Sequence, residues 1–199
     1  MNNKINRLMV ISLIVMMFLV SCTQSGSSPN TLDGVNLNDD SFLVVKDSEI
    51  FKTGNLVVIN SDEDFQIGNV YKIKIDDKIT KSLPPIAIGL EVENLGTHSS
   101  TKITFSDGEM IKNYIPEKTH IIDVRTNEEF SSGHVPGAIN IPLDSLERDF
   151  VDSYERDDIF ILYCQSGNRS AQGAKILSDN DYKLIFDAGG INSYEGELE

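Results

Sequence analysis

The sequence is short of cysteine, tryptophan and positive charge. Its 199 residues include two cysteines, no tryptophan, and 17 lysines and arginines against 31 aspartates and glutamates, so the formal net charge is −14. Two cysteines exclude a disulfide-rich scaffold and a four-sulfur zinc site. The shortage of basic residues argues against a nucleic-acid backbone as partner, because phosphate binding needs clustered lysine and arginine. The remaining composition is that of an ordinary globular protein of one or two domains.

The N-terminal residues have the three parts of a secretory signal. Residues 1–7 are polar and basic, residues 8–20 form an apolar core, and a small residue followed by Cys22 ends the segment. This core is short for a membrane span, which needs about 20 residues. We therefore predict a signal peptide over residues 1–21 and an extracytoplasmic location for the rest of the chain.

Leu19-Val20-Ser21-Cys22 resembles a bacterial lipobox, in which the cysteine becomes the lipidated first residue of the mature protein. The resemblance implies acyl chains such as palmitate on Cys22 and attachment to the cell membrane, since two chains are about what stable anchoring requires. An uncleaved N-terminal anchor and an ordinary signal with a chance cysteine are the alternatives. If Cys22 carries lipid, Cys164 is the only thiol of the mature chain, and no disulfide is available.

A tether and a small all-β domain are predicted to follow. Residues 22–40 are predicted as a flexible tether, since they begin with serine, glycine, proline and glutamine. Residues 41–99 hold short β-rich runs separated by Asp, Asn and Gly, and the run 70–75 alternates apolar with polar side chains as a half-buried strand does. No motif here carries chemistry, and His98 is expected in a surface loop. The role of this domain stays open, and docking of a protein partner is one option.

From about residue 100 the predicted strands alternate with helices, which is typical of an α/β domain with a parallel sheet. The run 158–163 is almost continuously apolar, as expected of a strand buried on both faces. We predict a parallel sheet with helices on both faces over residues 100–199. The predicted strands are residues 103–105, 120–124, 138–141, 158–163 and 184–186, and the predicted helices are residues 107–114, 127–131, 143–150 and 170–177.

The residues with chemical potential form one stretch, Cys164-Gln165-Ser166-Gly167-Asn168-Arg169-Ser170. The sulfur follows a rigid strand, and Gly167 permits the positive φ of a tight loop. Successive N–H groups then converge on an anion, and the following helix adds its partial positive charge. Such surroundings lower the pKa of Cys164 below its free value of about 8.5 and favour a nucleophilic thiolate. Arg169 could clamp an anion, and Ser170 would cap the helix and donate to the same anion.

This loop, Cys-x-x-Gly-x-Arg-Ser, resembles the active loop of rhodanese-like sulfurtransferases. Residues 122–125 resemble the family's first-strand motif, and residues 129–142 resemble its second block. Residues 187–190, followed by Tyr194 where tryptophan is commoner, resemble its closing segment. Four ordered blocks cover about residues 100–199, and the resemblance implies the rhodanese fold for this half of the chain.

The resemblance also implies a mechanism. The Cys164 thiolate attacks the outer sulfur of a donor such as thiosulfate, sulfite leaves, and the resulting persulfide passes its sulfur to cyanide or another thiol. Cys164 and Arg169 are the implied catalytic residues. The implied substrate-binding residues are Gln165, Ser166, Gly167, Asn168 and Ser170, and the implied structural supports are Asp123, Arg125 and Asp187.

The implied partners are small sulfur-containing anions, a thiol or cyanide acceptor, and the membrane through its lipid anchor. No cofactor, metal or nucleic acid is expected.

Two rival functions remain. A cysteine-dependent phosphatase or arsenate reductase of this fold has five residues between cysteine and arginine, whereas four separate Cys164 from Arg169 here. A non-catalytic binding module, or a persulfide carrier for a membrane partner, is the second rival.

Overall fold

The structure is a computed structural model that describes residues 30–150 and 153–199. The predicted signal peptide 1–21 and Cys22 lie outside the described residues. Within the described ranges, no helix combines the length and apolar character needed to cross a membrane. The chain forms an N-terminal all-β unit followed by a parallel sheet with helices, so the predicted fold class is confirmed.

The all-β unit has five strands: β1 (Thr31–Asn36), β2 (Ser41–Lys46), β3 (Leu56–Asn60), β4 (Asn69–Ile75) and β5 (Ile86–Thr97). They form a closed barrel in the order β1-β2-β3-β5-β4. Neighbouring strands are antiparallel except β3 and β5, which are parallel. The alternation predicted for residues 70–75 is confirmed, since Tyr71, Ile73 and Ile75 are buried and Lys72 is exposed.

Strand β1 corrects the predicted boundary between tether and barrel. It lies within residues 22–40, yet it pairs with both β2 and β4 and so closes the barrel. Leu32 and Val35 on this strand are buried in hydrophobic clusters. The prediction of a flexible tether is therefore wrong from Thr31 onward. Its sequence, Thr-Leu-Asp-Gly-Val-Asn, has too few apolar residues to indicate a strand without knowledge of its neighbours.

The C-terminal sheet contains the strands β6 (Thr101–Lys102), β7 (Thr119–Asp123), β8 (Ile139–Asn140), β9 (Ile159–Cys164) and β10 (Leu184–Gly190). These five strands are parallel and lie in the order β6-β10-β9-β7-β8. The helices are α1 (Phe105–Tyr114), α2 (Asn127–Ser131), α3 (Leu143–Phe150) and α4 (Asn168–Asp179), with a 3-10 turn at Ile191–Ser193.

The strand predicted at residues 103–105 is wrong, because α1 begins at Phe105. Thr104 is the N-cap residue, and its hydroxyl accepts a hydrogen bond from the Asp107 N–H. The Asp107 carboxylate accepts in return from the Thr104 N–H at 2.9 Å. This reciprocal capping satisfies backbone donors that a helix start otherwise leaves unpaired. The helix therefore begins at Phe105, and the extended segment ends before the predicted strand would.

Helices cover both faces of the sheet, as predicted. All six residues of β9 are buried, and their side chains alternate between two hydrophobic clusters. Ile161 and Tyr163 pack with α1 on one face. Leu162 and Cys164 pack with α3 and α4 on the other. The candidate sulfur is therefore the last side chain of a strand that is rigidly held on both sides.

The barrel packs against the sheet on the α1 side. Val35, Leu43 and Leu56 of the barrel belong to the same buried cluster as Ile111 of α1 and Phe186 of β10. Burial of apolar surface in one continuous cluster couples the two units. The barrel is therefore packed directly on the parallel sheet and is not joined to it by a flexible linker alone.

His98 lies at this contact and not in a free surface loop. Its ring centroid is 5.6 Å from that of Phe186, and its Nε2 is 2.7 Å from the Thr101 hydroxyl. Burial lowers the pKa of His98 to about 4, so the ring is neutral at pH 7. His98 is thus a packing residue between the barrel and the sheet.

Candidate active site

Cys164 ends β9 at the carboxyl edge of the parallel sheet, and α4 begins only at Asn168. The intervening residues fold back over the sulfur because Gly167 adopts a left-handed φ of +95°. The Gly167 N–H donates to the Cys164 Sγ at 3.1 Å. The loop therefore directs a backbone donor at the sulfur, as its composition predicts.

Burial and hydrogen bonding act in opposite directions on Cys164. Burial raises the pKa of its thiol, but the N–H groups of Ser170, Ser166 and Gly167 lower it and prevail, so the pKa lies below its ordinary value. The side chain is only 1% exposed. A buried thiolate with several converging N–H donors is a nucleophile whose charge is stabilised before any substrate arrives.

Ser170 has a different contact from the predicted one. The N-cap residue of α4 is Gly167, which has no side chain to cap the helix. Ser170 lies within the first turn, and its hydroxyl donates to the Gly167 carbonyl at 3.0 Å. The predicted capping role is wrong because the helix begins at Asn168. Because no side chain caps α4, the N–H groups at its start remain available to donate hydrogen bonds to the Cys164 sulfur.

Arg169 is held by a partner that the local sequence does not reveal. Its Nη1 and Nη2 donate to the two carboxylate oxygens of Glu129 at 2.6 and 2.7 Å. These bonds, together with the Thr126 N–H, lower the pKa of Glu129 to about 2. Glu129 raises the pKa of Arg169, and Cys164 raises it further. Arg169 is thus paired with the Glu129 carboxylate and lies close enough to Cys164 for their charges to interact.

Glu129 was visible in the sequence only as the first residue of the block 129–142. The pattern Thr-x-x-Glu over residues 126–129 is a capping box, and both of its hydrogen bonds are present at the start of α2. That pattern could have located the carboxylate at a helix start. Its distance from Arg169 along the chain, 40 residues, concealed the pairing.

Asp123 and Arg125 form a buried ion pair under the site. Arg125 Nη2 donates to the Asp123 carboxylate at 2.7 Å and to the Gly133 carbonyl at 2.7 Å. The Asn140 side-chain amide donates to the carbonyls of Asp123 and Arg125 at 2.9 and 3.0 Å. Asp123 is 0% exposed and Arg125 is 4% exposed. This network of hydrogen bonds connects β7, the turn that follows β7 and the loop that contains Gly133, and these three segments together support the site.

Gln165 links the active loop to this support. Its amide nitrogen donates to the Asn192 side chain at 3.0 Å, and its amide oxygen accepts from Arg125 Nη1 at 3.5 Å. Ser166 and Asn168, in contrast, are exposed on the loop. Among the predicted substrate-binding residues, Gln165 therefore has its side chain hydrogen-bonded within the protein, while Ser166 and Asn168 are exposed to solvent.

The end of β10 packs directly against the loop. A Cβ atom on Gly190 would lie 2.7 Å from the Gln165 carbonyl oxygen and 2.8 Å from the Ser166 Cα, so only glycine allows this approach. The Asp187 carboxylate accepts from the Gly189 N–H at 2.9 Å. Asp187 thereby orders the strand end that backs the active loop.

Several known proteins are similar to part of this chain. A family model described as the rhodanese-like domain matches residues 107–197. The thiosulfate sulfurtransferase PspE of Escherichia coli is 38% identical over 73 residues, which are 36% of this chain and 70% of PspE. The putative sulfur carrier protein YrkF of Bacillus subtilis is 33% identical over 84 residues, 42% of this chain and 45% of YrkF, so the match spans less than half of that relative.

A solved structure described as a rhodanese with anions from E. coli is 34% identical to this chain. The match covers 41% of this chain and 96% of the chain in that solved structure, with a TM-score of 0.39. The family match includes the strand that ends at Cys164, the loop of N–H donors and the supporting ion-paired turn. The chain belongs to the rhodanese-like family.

Proposed function

We propose that this protein is a sulfurtransferase that moves sulfane sulfur from a donor such as thiosulfate to a thiophilic acceptor through a persulfide on Cys164. The observation that carries the proposal is the 3.1 Å bond from the Gly167 N–H to the Cys164 sulfur, within a loop whose N–H groups lower the pKa of that thiol. The chemistry named for PspE, thiosulfate sulfur transfer, supports the donor class.

The proposed reaction has two displacements. In the first, the Cys164 thiolate attacks the outer sulfur of thiosulfate, a new sulfur–sulfur bond forms, and sulfite leaves with the electron pair of the broken bond. In the second, the acceptor attacks the outer sulfur of the persulfide, and Cys164 leaves as a thiolate. No net oxidation of the protein occurs. The N–H groups of the loop would stabilise the negative terminal sulfur between the two steps.

Sulfur loading tests this function directly. We expect intact-protein mass spectrometry after incubation with thiosulfate to show one added sulfur atom, and cyanide to remove it as thiocyanate. Peptide mapping should place the addition at Cys164. An unmodified thiol after prolonged incubation would contradict the proposed mechanism and leave a binding role.

A sulfur carrier is the second candidate function. Cys164 is the free cysteine of the described residues, and YrkF bears the description of a putative sulfur carrier protein. A carrier and a transferase both hold the persulfide, but they differ in the second displacement. Rapid turnover with cyanide or small thiols supports the transferase. A stable persulfide that small acceptors discharge slowly supports the carrier.

Glu129 is proposed to limit how strongly Arg169 attracts an anionic donor. In a Glu129→Gln variant one negative charge leaves the mouth of the site, so we expect the KM for thiosulfate to fall by about fivefold, corresponding to about 1 kcal/mol. Glutamine keeps an oxygen that can accept from the Thr126 N–H, so α2 should remain capped.

Glu128→Gln is the matched control for this variant, since it removes the same charge from an exposed neighbour outside the Arg169 ion pair. KM values are compared at one ionic strength, because long-range charge effects are screened over about 10 Å at 0.1 M salt. An equal change in both variants would show that general charge, and not the Arg169 contact, sets donor affinity.

We further propose that the protein is a lipoprotein, anchored at the extracytoplasmic face of the cell membrane through Cys22. The support is the sequence alone: a basic start, a short apolar core and a lipobox-like ending. A Cys22→Ala variant should leave the membrane fraction, and the wild-type chain should take up labelled palmitate. Membrane retention of the variant would indicate that residues 8–20 remain as an uncleaved anchor.

A further inference from the structure

The outer surface of the barrel carries an apolar stripe that the sulfurtransferase chemistry does not use. Leu83 is 91% exposed, and Ile86, Ile88 and Leu90 on β5 are 40, 44 and 54% exposed. Ala87, which lies between Ile86 and Ile88 on the strand, is 0% exposed, so the three exposed β5 residues share the outward face of the strand. We call Leu83, Ile86, Ile88 and Leu90 the apolar stripe. Clustered exposed side chains of this size mark an interaction surface.

The chain enters the barrel beside this stripe. Asn30 donates through its side-chain amide to the Asp77 carboxylate at 2.7 Å, and the Ile75 N–H donates to the Asn30 carbonyl at 2.8 Å. These bonds hold the chain entry against the segment that leads into the stripe. Seven residues separate Cys22 from Asn30, a reach of at most about 28 Å when fully extended. Any anchor at Cys22 therefore brings this end of the barrel close to a bilayer.

Two exposed lysines beside the stripe also suit a lipid headgroup layer. Lys78 and Lys81 are exposed, and within residues 30–150 and 153–199 neither forms an ion pair. Two acids lie in the same segment and accept hydrogen bonds: Asp77 from the Asn30 side-chain amide, and Asp76 from the backbone N–H of Lys78. Apolar side chains flanked by free lysines are the composition of surfaces that sit at a membrane interface.

From this placement we propose that the apolar stripe lies on the bilayer to which the N terminus is attached, with Leu83 inserted between the headgroups. The proposal rests on the membrane anchoring argued above. It assigns the barrel an orienting role, because a barrel seated on lipid fixes the position of the sheet packed against it. The active loop then stands at a defined height above the membrane instead of moving freely on a tether.

The test uses a chain that begins at residue 23 and carries an N-terminal hexahistidine. Among residues 30–150 and 153–199, the buried clusters begin at Leu32, so this chain keeps every residue of those clusters. Vesicles of phosphatidylcholine and phosphatidylglycerol with nickel-chelating lipid hold it by the histidines, which replace the natural anchor. Failure of Cys22 lipidation therefore leaves this measurement unaffected.

A polarity-sensitive dye reports insertion. It is attached through Leu83→Cys in a Cys164→Ser background, and through Lys175→Cys as the matched control. Lys175 is exposed on α4, which covers the sheet face opposite the barrel. We expect tethering to shift the emission at position 83 to shorter wavelength and to expose it to quenching by nitroxide-labelled lipids, with neither change at position 175.

Equal emission and quenching at the two positions would overturn the proposal. A shift at position 83 that grows with protein concentration in the absence of vesicles would also overturn it, since a second copy of the chain would then cover the stripe. Anchoring itself is read separately from the Cys22→Ala fractionation, so the two failures are distinguishable.

Discussion

A Cys164→Ser variant should neither gain sulfur from thiosulfate nor form thiocyanate, with a loss of more than about a thousandfold, the scale seen when a covalent nucleophile is removed. The N–H groups that lower the pKa of the thiol cannot ionise a serine hydroxyl near neutral pH. Serine is close to cysteine in size, so the 1% exposed site should still pack. An unchanged thermal midpoint establishes that the variant is folded, and wild-type thiocyanate production by it would contradict a Cys164 mechanism.

The same assay has a defined pH dependence, because the thiolate is the reactive form. The pKa of Cys164 lies below its ordinary value, so the loading rate should rise with pH with a midpoint below about pH 8.5. Glu129, with a pKa of about 2, stays charged throughout that range and contributes nothing to the profile. A midpoint at or above 8.5, measured independently by iodoacetamide alkylation, would show that the loop does not favour the thiolate.

An Asp123→Asn variant should lose about 3–5 kcal/mol of the free energy of unfolding, since it leaves the Arg125 guanidinium buried without its counter-charge. The Asp123 carboxylate accepts from both Nε and Nη2 of Arg125 and from the Arg125 backbone N–H. Asparagine keeps the shape but supplies one neutral acceptor. Urea unfolding at pH 7 measures the loss, which corresponds to a thermal midpoint lower by about 10 °C.

Two further variants separate this effect from a general loss of charge. Asp179→Asn breaks the exposed ion pair with Lys175 on α4, and it should cost less than about 0.5 kcal/mol. Asp123→Asn combined with Arg125→Met removes both buried charges, and it should recover part of the loss. If Asp179→Asn and Asp123→Asn lower the free energy of unfolding by the same amount, the buried ion pair is not a major source of the stability of the fold.

The elements of the C-terminal half follow from local sequence because their patterns are strong. The run 158–163 is apolar at nearly every position and becomes a strand buried on both faces. Residues 127–131 and 143–150 form helices at the predicted bounds. The strand predicted at 103–105 failed because a side-chain cap at Thr104 outweighs the β preference of its neighbours. Such capping is encoded by two residues, Thr104 and Asp107, and not by the overall composition of the segment.

The site was predictable where one segment builds it. Gly167 and the N–H groups that follow it come from consecutive residues, so chain geometry alone converges them on Cys164. The contacts of Arg169 with Glu129 and of Gly190 with Ser166 join segments remote in sequence. Such contacts depend on which strands become neighbours, and no local pattern contains that information.

By itself, then, the sequence determined the α/β class, the active loop and the single thiol available for sulfur chemistry in the described chain. Only the tertiary structure decided that β1 closes the barrel, that the barrel shares a hydrophobic cluster with the sheet, and that Arg169 is held by a carboxylate. The physical reason is the range of the forces concerned. Backbone conformation and helix polarity act over a few neighbouring residues, whereas burial and ion pairing act between whatever surfaces the folded chain brings together.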